Sequence, residues 1–172
     1  FTTYEPKVTF RGASDPEEPV YLDGVQLEQD ENGYFVAERE LSPGANTFVI
    51  SHKDQELTYN ITRNIQVIQS VSPTGTLTVE GGMEIELEAV AMDGATVTAT
   101  LNGQTVTLKQ TDQQTDDTDK NSSYHIFTGT MTMPAATSSK QNLGNISFYG
   151  SWNGASNSKT GANVRINPIP EI

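Results

Sequence analysis

The sequence predicts an all-β protein built from two tandem immunoglobulin-like β-sandwiches. Strand-like segments alternate apolar and polar side chains, as in 83-MEIELEAVA-91 and 95-ATVTATL-101. A period of two is typical of antiparallel strands with one buried and one solvated face. Turn signals recur about every 8–12 residues, which favours a sandwich. No segment of about a dozen residues has the apolar spacing of an amphipathic helix.

Two corners of the same kind support this fold. Asp23-Gly24 and Asn102-Gly103 each stand between two runs of alternating apolar residues. Such pairs are the strongest short-range signal for a β-hairpin, because both central residues of a type I′ turn need positive φ. The repeated corner indicates two modules of related architecture.

The first predicted module covers residues 1–68. Its strands are expected near 7–12, 19–23, 25–29, 33–40, 46–53 and 56–63. Its turns are expected at Asp23-Gly24, Asn32-Gly33, Ser42-Pro43-Gly44 and around Asp54-Gln55.

The second predicted module covers residues 69–167, and 168–172 is expected to be a linker to a following domain. Its strands are expected near 76–80, 83–91, 95–101, 104–110, 124–133, 143–152 and 161–166. The short apolar segment 64–73 is expected to pass between the modules. The polar segments 110–123 and 134–142 lack periodicity and are expected to be exposed loops.

Composition excludes several functional classes. The 172 residues carry a formal net charge of −12, with a pI near 4.4. This charge disfavours nucleic acids and anionic membrane surfaces, which are bound by clustered Lys and Arg. Cysteine is absent, which excludes disulfides and thiol chemistry. No apolar run reaches the roughly 18 residues of a membrane-spanning helix, and no signal peptide is recognisable.

The two ends of the sequence suggest a piece of a longer protein. The chain opens on Phe1 rather than Met, and Pro168 and Pro170 give its last residues the character of an extended linker. We therefore expect a fragment that lies between a leader and a following domain, and a mature protein with frayed ends is the competing interpretation.

Three longer strings resemble a known family: 41-LSPGANTFVISHKDQELTYNITR-63, 78-TVEGGMEIELEAVAMDGATVTATLNGQTVTL-108 and 143-LGNISFYGSWNGASNSKTGANVRI-166. They are similar to the non-catalytic immunoglobulin-like region upstream of the catalytic domain in clostridial N-acetylmuramoyl-L-alanine amidases. The first module also resembles the glucodextranase-B and cadherin-like sandwich repeats, through 20-VYLDG-24 and 44-GANTF-48.

The resemblance implies an accessory region of an exported cell-wall hydrolase from a Firmicutes bacterium. Amidases of this kind bind zinc through His and Glu residues of a separate catalytic domain. None of that motif occurs in this sequence, so no catalytic residue is transferred to any position. The resemblance therefore implies an extracellular or wall-associated segment that is not itself an enzyme.

A loop rich in Asp is the better of two candidate metal sites. Asp112, Asp116, Asp117 and Asp119 lie close together, and calcium favours several carboxylate oxygens in a flexible loop. In the spacing of an EF-hand loop that starts at Asp117, however, Ser122 and Thr128 occupy the positions that need Gly and Glu. A solvated loop without a metal is the competing interpretation, and we expect no cofactor.

The remaining polar candidates favour structure over chemistry. His52 and His125 would have to converge with an acid from different modules to bind zinc, and their spacing does not favour this. Glu84, Glu86 and Glu88 project from one face of one strand, which indicates a soluble face that discourages aggregation. No nucleophile motif accompanies them.

Aromatic residues are candidates for stacking on a sugar. Ile146, Phe148 and Trp152 share one face of a predicted strand, so Trp152 is expected in the core and Tyr149 on the exposed face. Both remain weak candidates for ligand binding.

The leading hypothesis is a non-catalytic accessory, spacer or wall-contacting region of an amidase-like cell-wall hydrolase. One alternative is a cell-surface adhesion or protein-interaction module, and another is a carbohydrate-binding module. Expected partners are peptidoglycan or another surface protein, without nucleic acid and without membrane insertion. The chain is expected to be a monomer.

Overall fold

The computed structural model of the chain describes residues 1–115 and 124–170, in which every regular element is a β-strand. The strands are β1 Thr2–Thr3, β2 Lys7–Ala13, β3 Val20–Leu22, β4 Val25–Gln26, β5 Tyr34–Glu40, β6 Gly44–His52, β7 Gln55–Arg63, β8 Ile68–Ser72, β9 Thr76–Val79, β10 Glu84–Met92, β11 Thr96–Leu101, β12 Gln104–Gln114, β13 Tyr124–Thr132, β14 Gln141–Trp152 and β15 Ala155–Ile166.

The chain divides into two compact units. The first comprises Phe1–Ile65 with Asn153–Ala155, and the second comprises Gln66–Trp152 with Ser156–Ile172. Each unit has its own cluster of buried apolar side chains.

The first unit is a sandwich of two unequal sheets. Five strands pair in the order β1-β7-β6-β3-β4, and β2 pairs with β5 as a two-stranded sheet. Phe10 of β2 meets Phe48 of β6 edge to face, with the ring centroids 5.2 Å apart. The buried apolar cluster consists of Phe10, Val20, Leu22, Leu27, Ala37, Leu41, Phe48 and Ile61.

The second unit contains a continuous ladder in the order β8-β10-β13-β12-β11-β14-β15-β9. Strand β12 connects its two halves, because residues 104–108 pair with β11 whereas Lys109 and Gln110 pair with β13. The alternating residues of β10, β11 and β14 point into one core. Its fully buried members include Leu87, Ala91, Val97, Ala99, Phe127, Met131, Ile146, Phe148, Val164 and Ile166.

Both units share one topological feature. A short early strand pairs parallel with the last strand of the unit: β1 with β7 in the first and β9 with β15 in the second. The β10–β13, β11–β12, β2–β5 and β6–β7 ladders are antiparallel. The chain is therefore all-β with two tandem immunoglobulin-like sandwiches, and the predicted fold class is confirmed.

The two predicted corners are hairpins with positive φ at both central residues. The φ angles are 50° and 81° at Asp23-Gly24 and 49° and 79° at Asn102-Gly103. The flanking pairs Leu22↔Val25 and Leu101↔Gln104 close them. This backbone twist matches the right-handed twist of the strands.

One further hairpin corner lies one residue from its predicted position, and another was not predicted. The β6–β7 corner is Lys53-Asp54, closed by His52↔Gln55, one residue before the predicted position. Strand β15 begins at Ala155 instead of near 161, because Asn153-Gly154 forms a further corner with φ angles of 46° and 87°.

Segments predicted as a junction or as loops also contribute strands. Residues 68–72 form β8, and Val67 and Ile68 are fully buried. Gly150 of β14 makes room for this strand, since a Cβ there would lie 2.6 Å from Cγ1 of Ile68. Likewise β12 extends to Gln114 and β14 begins at Gln141, which shortens the two predicted loops.

Phe148 should carry a large share of the stability of the second sandwich, because its ring is fully buried. Phe148→Ala is expected to lower the free energy of unfolding by about 3–5 kcal/mol. The matched control is the neighbouring Tyr149→Ala, since Tyr149 is 48% exposed, and its effect should stay within about 0.5 kcal/mol. Urea unfolding followed by Trp152 fluorescence measures both, and equal losses would contradict this assignment of the core.

Candidate functional site

The acidic loop can be compared with the structure at one residue. Asp112 is exposed on β12, whereas Asp116, Asp117 and Asp119 lie outside the described residues. Within residues 1–115 and 124–170, no group of three or more His, Asp or Glu side chains is arranged to hold a metal ion. The calcium site therefore stays a prediction.

The acidic stripe of β10 has the arrangement that its alternation predicts. Glu84, Glu86 and Glu88 are exposed, whereas the intervening Ile85 and Leu87 are buried. Across the ladder the three carboxylates face Thr132, Thr130 and Thr128. The stripe is a solvated outer face.

The two aromatic candidates lie on different faces of β14. Tyr149 is exposed as predicted, but Trp152 is only partly buried and does not belong to the core. The prediction for Trp152 was wrong because the residue ends the strand, beyond the last buried position at Gly150. By alternation the two rings point in opposite directions, so they do not form a joint platform for a sugar.

His125 has a structural role in the second unit. The residue is 9% exposed, and its Nδ1 lies 3.1 Å from the Thr111 carbonyl oxygen, to which it donates as an N–H. Its Nε2 lies 3.9 Å from Asp93 Oδ1. His52 belongs to β6 of the first unit, where its Nε2 is buried without a hydrogen-bond partner in the described residues.

Gln110 ties the turn between β10 and β11 to the neighbouring strand β12. Its Nε2 donates to Asp93 Oδ1 at 2.6 Å, and its Oε1 accepts from the Gly94 backbone N–H at 2.8 Å. Both partners belong to the turn, so the single amide holds it at two points.

An apolar open surface lies on the outer face of β2–β5. Tyr34 and Val36 are each 60% exposed, because the alternation of β5 directs Phe35 and Ala37 inward and these two outward. With Arg11 and Ala13 of β2 they line a shallow depression of about 400 Å³. We call this set of four residues the outer-face surface.

Sequence reasoning missed the outer-face surface. Strand β5 reads Tyr-Phe-Val-Ala at its start, so both of its faces begin with apolar residues. That pattern, apolar on both faces of a strand, was the available signal. Exposed apolar residues that are contiguous on a rigid sheet indicate an interaction site more strongly than scattered ones do.

In the described residues, no helix is long and apolar enough to cross a membrane. Comparison with protein-family models and with curated proteins finds no match.

The solved structures that match this chain are distant from it in sequence. A chimeric titin tandem carrying a GRGDS peptide from fibronectin is 14% identical, with 96% of this chain and 93% of that chain covered and a TM-score of 0.36. The fibronectin(III)-like modules of CbhA from Clostridium thermocellum are 13% identical, covering 98% and 87%, with a TM-score of 0.34. An I-band fragment of titin is 12% identical, with 96% of this chain covered and a TM-score of 0.39. This chain spans 61% of that fragment.

Replacing Gln110 tests the two-point attachment of the turn. Gln110→Ala removes two hydrogen bonds and should lower the free energy of unfolding by about 1–2 kcal/mol. Protection of the Gly94 amide against hydrogen exchange should fall as well. Gln104→Ala on the same strand is the control, because Gln104 is exposed, and an unchanged Gly94 amide in Gln110→Ala would refute the attachment.

Proposed function

We propose that this chain is a non-catalytic interaction segment of an exported cell-wall hydrolase. The catalytic domain of that parent protein would be an N-acetylmuramoyl-L-alanine amidase. The observation that carries the interaction role is the outer-face surface, formed by Arg11, Ala13, Tyr34 and Val36. The resemblance of the three sequence strings to the amidase accessory region supplies the parent.

The outer-face surface suits a neutral or weakly polar ligand. Its aromatic and aliphatic side chains stand on two paired strands, so a ligand would meet a preformed surface with little loss of side-chain entropy. A Tyr ring offers an apolar face together with a hydroxyl group. The apolar face of a sugar ring can lie on Tyr34, while the Arg11 guanidinium can pair with a carboxylate of a stem peptide.

The overall charge supports the same class of ligand. With a net charge of −12, the chain repels anionic wall polymers at long range, whereas short-range stacking and hydrogen bonds are little affected at physiological salt. The glycan and the peptide of peptidoglycan, rather than its anionic accessory polymers, are therefore the proposed contact.

An adhesion or protein-interaction module is the second candidate, and the same surface favours it. A contiguous apolar patch serves a protein partner as well as a sugar. The carbohydrate-binding alternative, in contrast, gains nothing from Tyr149 and Trp152, which lie on opposite faces of β14.

A pull-down on purified peptidoglycan sacculi tests the leading proposal. We expect the chain to bind at low and high salt without calcium, and Tyr34→Ser/Val36→Thr to weaken binding about tenfold, which corresponds to about 1.4 kcal/mol. The control is Tyr149→Ser, which removes an exposed Tyr from the second unit and should bind sacculi as tightly as the unsubstituted chain.

Each other outcome of this experiment points elsewhere. Absence of binding would reject wall contact and leave the protein-interaction module. Equal binding by the double variant would reject the outer-face surface as the contact. Binding that requires calcium would move the contact to the segment from Asp112 to Asp119.

A further inference from the structure

The edge of β2 that does not pair with β5 differs from the corresponding strand edge in the second unit. In the second unit, β10 pairs on one side with β13 and on the other with β8, through Glu88↔Ser72 and Val90↔Ser70. In the first unit, β2 holds the corresponding place, since β1 and β9 are equivalent parallel strands. Within the described part of the chain, however, β2 pairs with β5 and with no other strand.

Alternate residues of β2 direct their backbone N–H and C=O groups toward β5, and the residues between them direct these groups away from it. Two bonds bracket the ladder: Leu41 N–H donates to the Pro6 carbonyl, and Ser14 N–H donates to the Gly33 carbonyl. With the observed register, Phe10 and the other even-numbered residues of β2 exchange bonds with β5. The N–H and C=O groups of Thr9, Arg11 and Ala13 therefore point outward, without a hydrogen-bond partner in the described residues.

An apolar surface lies beside this edge on the facing sheet. Leu57 and Tyr59 of β7 point to the same side as the buried Ile61, yet they are 60% and 41% exposed. The Tyr59 ring lies 5.5 Å from the Phe10 ring of β2, between centroids, which places β7 opposite β2. Since β1 pairs with β7 at Thr62 and Arg63, it does not extend over Leu57.

We propose that the edge of β2 accepts an extended segment of a partner protein, added antiparallel as a further strand of the two-stranded sheet. The added strand would bond to the outward groups of Thr9, Arg11 and Ala13 and would cover Leu57 and Tyr59 with its inward side chains. Main-chain bonds at a sheet edge give affinity, and alternate side-chain contacts give specificity. This inference goes beyond wall contact: the edge shares Arg11 and Ala13 with the outer-face surface but does not involve Tyr34 or Val36.

Charge specifies the chemistry of the partner segment. The outward side chains of β2 are Lys7, Thr9, Arg11 and Ala13, which carry two cations and no carboxylate in a chain with 22 acidic and 10 basic residues. Glu38 of β5 lies 3.2 Å from Lys7, so Arg11 is the cation left for a partner. The segment should alternate apolar residues, directed inward, with Asp or Glu, directed outward beside Arg11.

A second copy of this chain fits less well as the occupant. In a second copy, the strand that alternates apolar with acidic residues is β10, whose acidic residues are Glu84, Glu86 and Glu88. That strand is already paired on both edges, and its Ile85 and Leu87 are buried in the second core. Releasing it would unfold that core, whereas a segment from a partner has no such cost.

The probe for this edge is a capped eight-residue peptide in which Val alternates with Glu, titrated into the whole chain and followed by amide chemical shifts. We expect the largest shifts at Thr9, Arg11, Leu57 and Tyr59. Thr9→Pro should weaken binding about tenfold, because it removes an outward N–H. The matched control is Glu40→Pro, which removes an outward N–H at the other edge of the same sheet and should bind like the parent.

Charge reversal tests the proposed specificity independently of folding. Arg11→Glu should weaken binding of the Val/Glu peptide and strengthen binding of a peptide in which Val alternates with Lys. The unsubstituted chain should prefer the Val/Glu peptide. A lack of binding at millimolar peptide, equal binding by Thr9→Pro, or shifts centred on β5 or β8 would overturn the proposal. Self-association of the parent that Thr9→Pro abolishes would identify a second copy as the occupant and equally overturn it.

The same variants separate this inference from the proposed wall contact. Thr9→Pro should lose binding to the peptide and retain binding to the sacculi. Tyr34→Ser/Val36→Thr should retain binding to the peptide and lose binding to the sacculi. Loss of both ligands in both variants would show a common unfolding effect, which the dispersion of the amide spectrum would reveal.

Discussion

In the first sandwich, a sheet of two strands has to cover a sheet of five. The exposed apolar side chains and the unpaired strand edges of this unit follow from that mismatch. The seven-residue strands β2 and β5 bury the middle of the larger sheet through Phe10 and Ala37. They do not reach its flanks, where Val25 and Leu57 remain about 60% exposed. A two-stranded sheet also has two unpaired edges. Edges of this kind are normally protected or used for pairing.

The second sandwich solves the same covering problem with more chain. Strand β12 runs through both halves of the ladder, and β8 adds a strand beside β10. The inward residues of β10 and β14 are consequently buried along most of their length, with polar residues on the outer face. Its outer surface is polar and acidic at Glu84, Glu86 and Glu88. The contrast explains why both interaction proposals fall on the first unit.

The alternation of apolar residues made the fold class and most strands predictable from the sequence. From Glu84 to Ala89 in β10 and throughout β11, buried and more exposed positions alternate as the sequence predicts, whereas at the end of β10 both Ala91 and Met92 are buried. The corner at Asn102-Gly103 was predictable because Asn and Gly tolerate positive φ. The equivalent signal at Asn153-Gly154 was present, but residues 156–160 that follow Ala155 are all polar, so alternation did not reveal the strand after this corner.

Other features depend on tertiary context that a local pattern does not contain. The strand β8 has only Ile68 and Val71 as apolar residues, and its burial depends on the space that Gly150 leaves on a strand distant in sequence. Trp152 keeps the inward phase of β14 but lies beyond the end of the core. The free edge of β2 depends on which strands belong to its small sheet. Periodicity within one strand carries no information about its neighbours.

The charge of the chain limits how any of these surfaces can work. At a net charge of −12, long-range attraction is confined to cationic partners, and screening over about 8–10 Å reduces even that at physiological salt. Recognition must therefore come from contacts at short range. The first unit offers both kinds that such contacts need: apolar side chains on fixed strands, and backbone groups in a regular array. Arg11 belongs to both surfaces, with its side chain on the outer face and its backbone groups at the free edge. A ligand on one surface would thus alter the electrostatics of the other, so wall contact and strand addition, if both occur, must be energetically coupled through this residue.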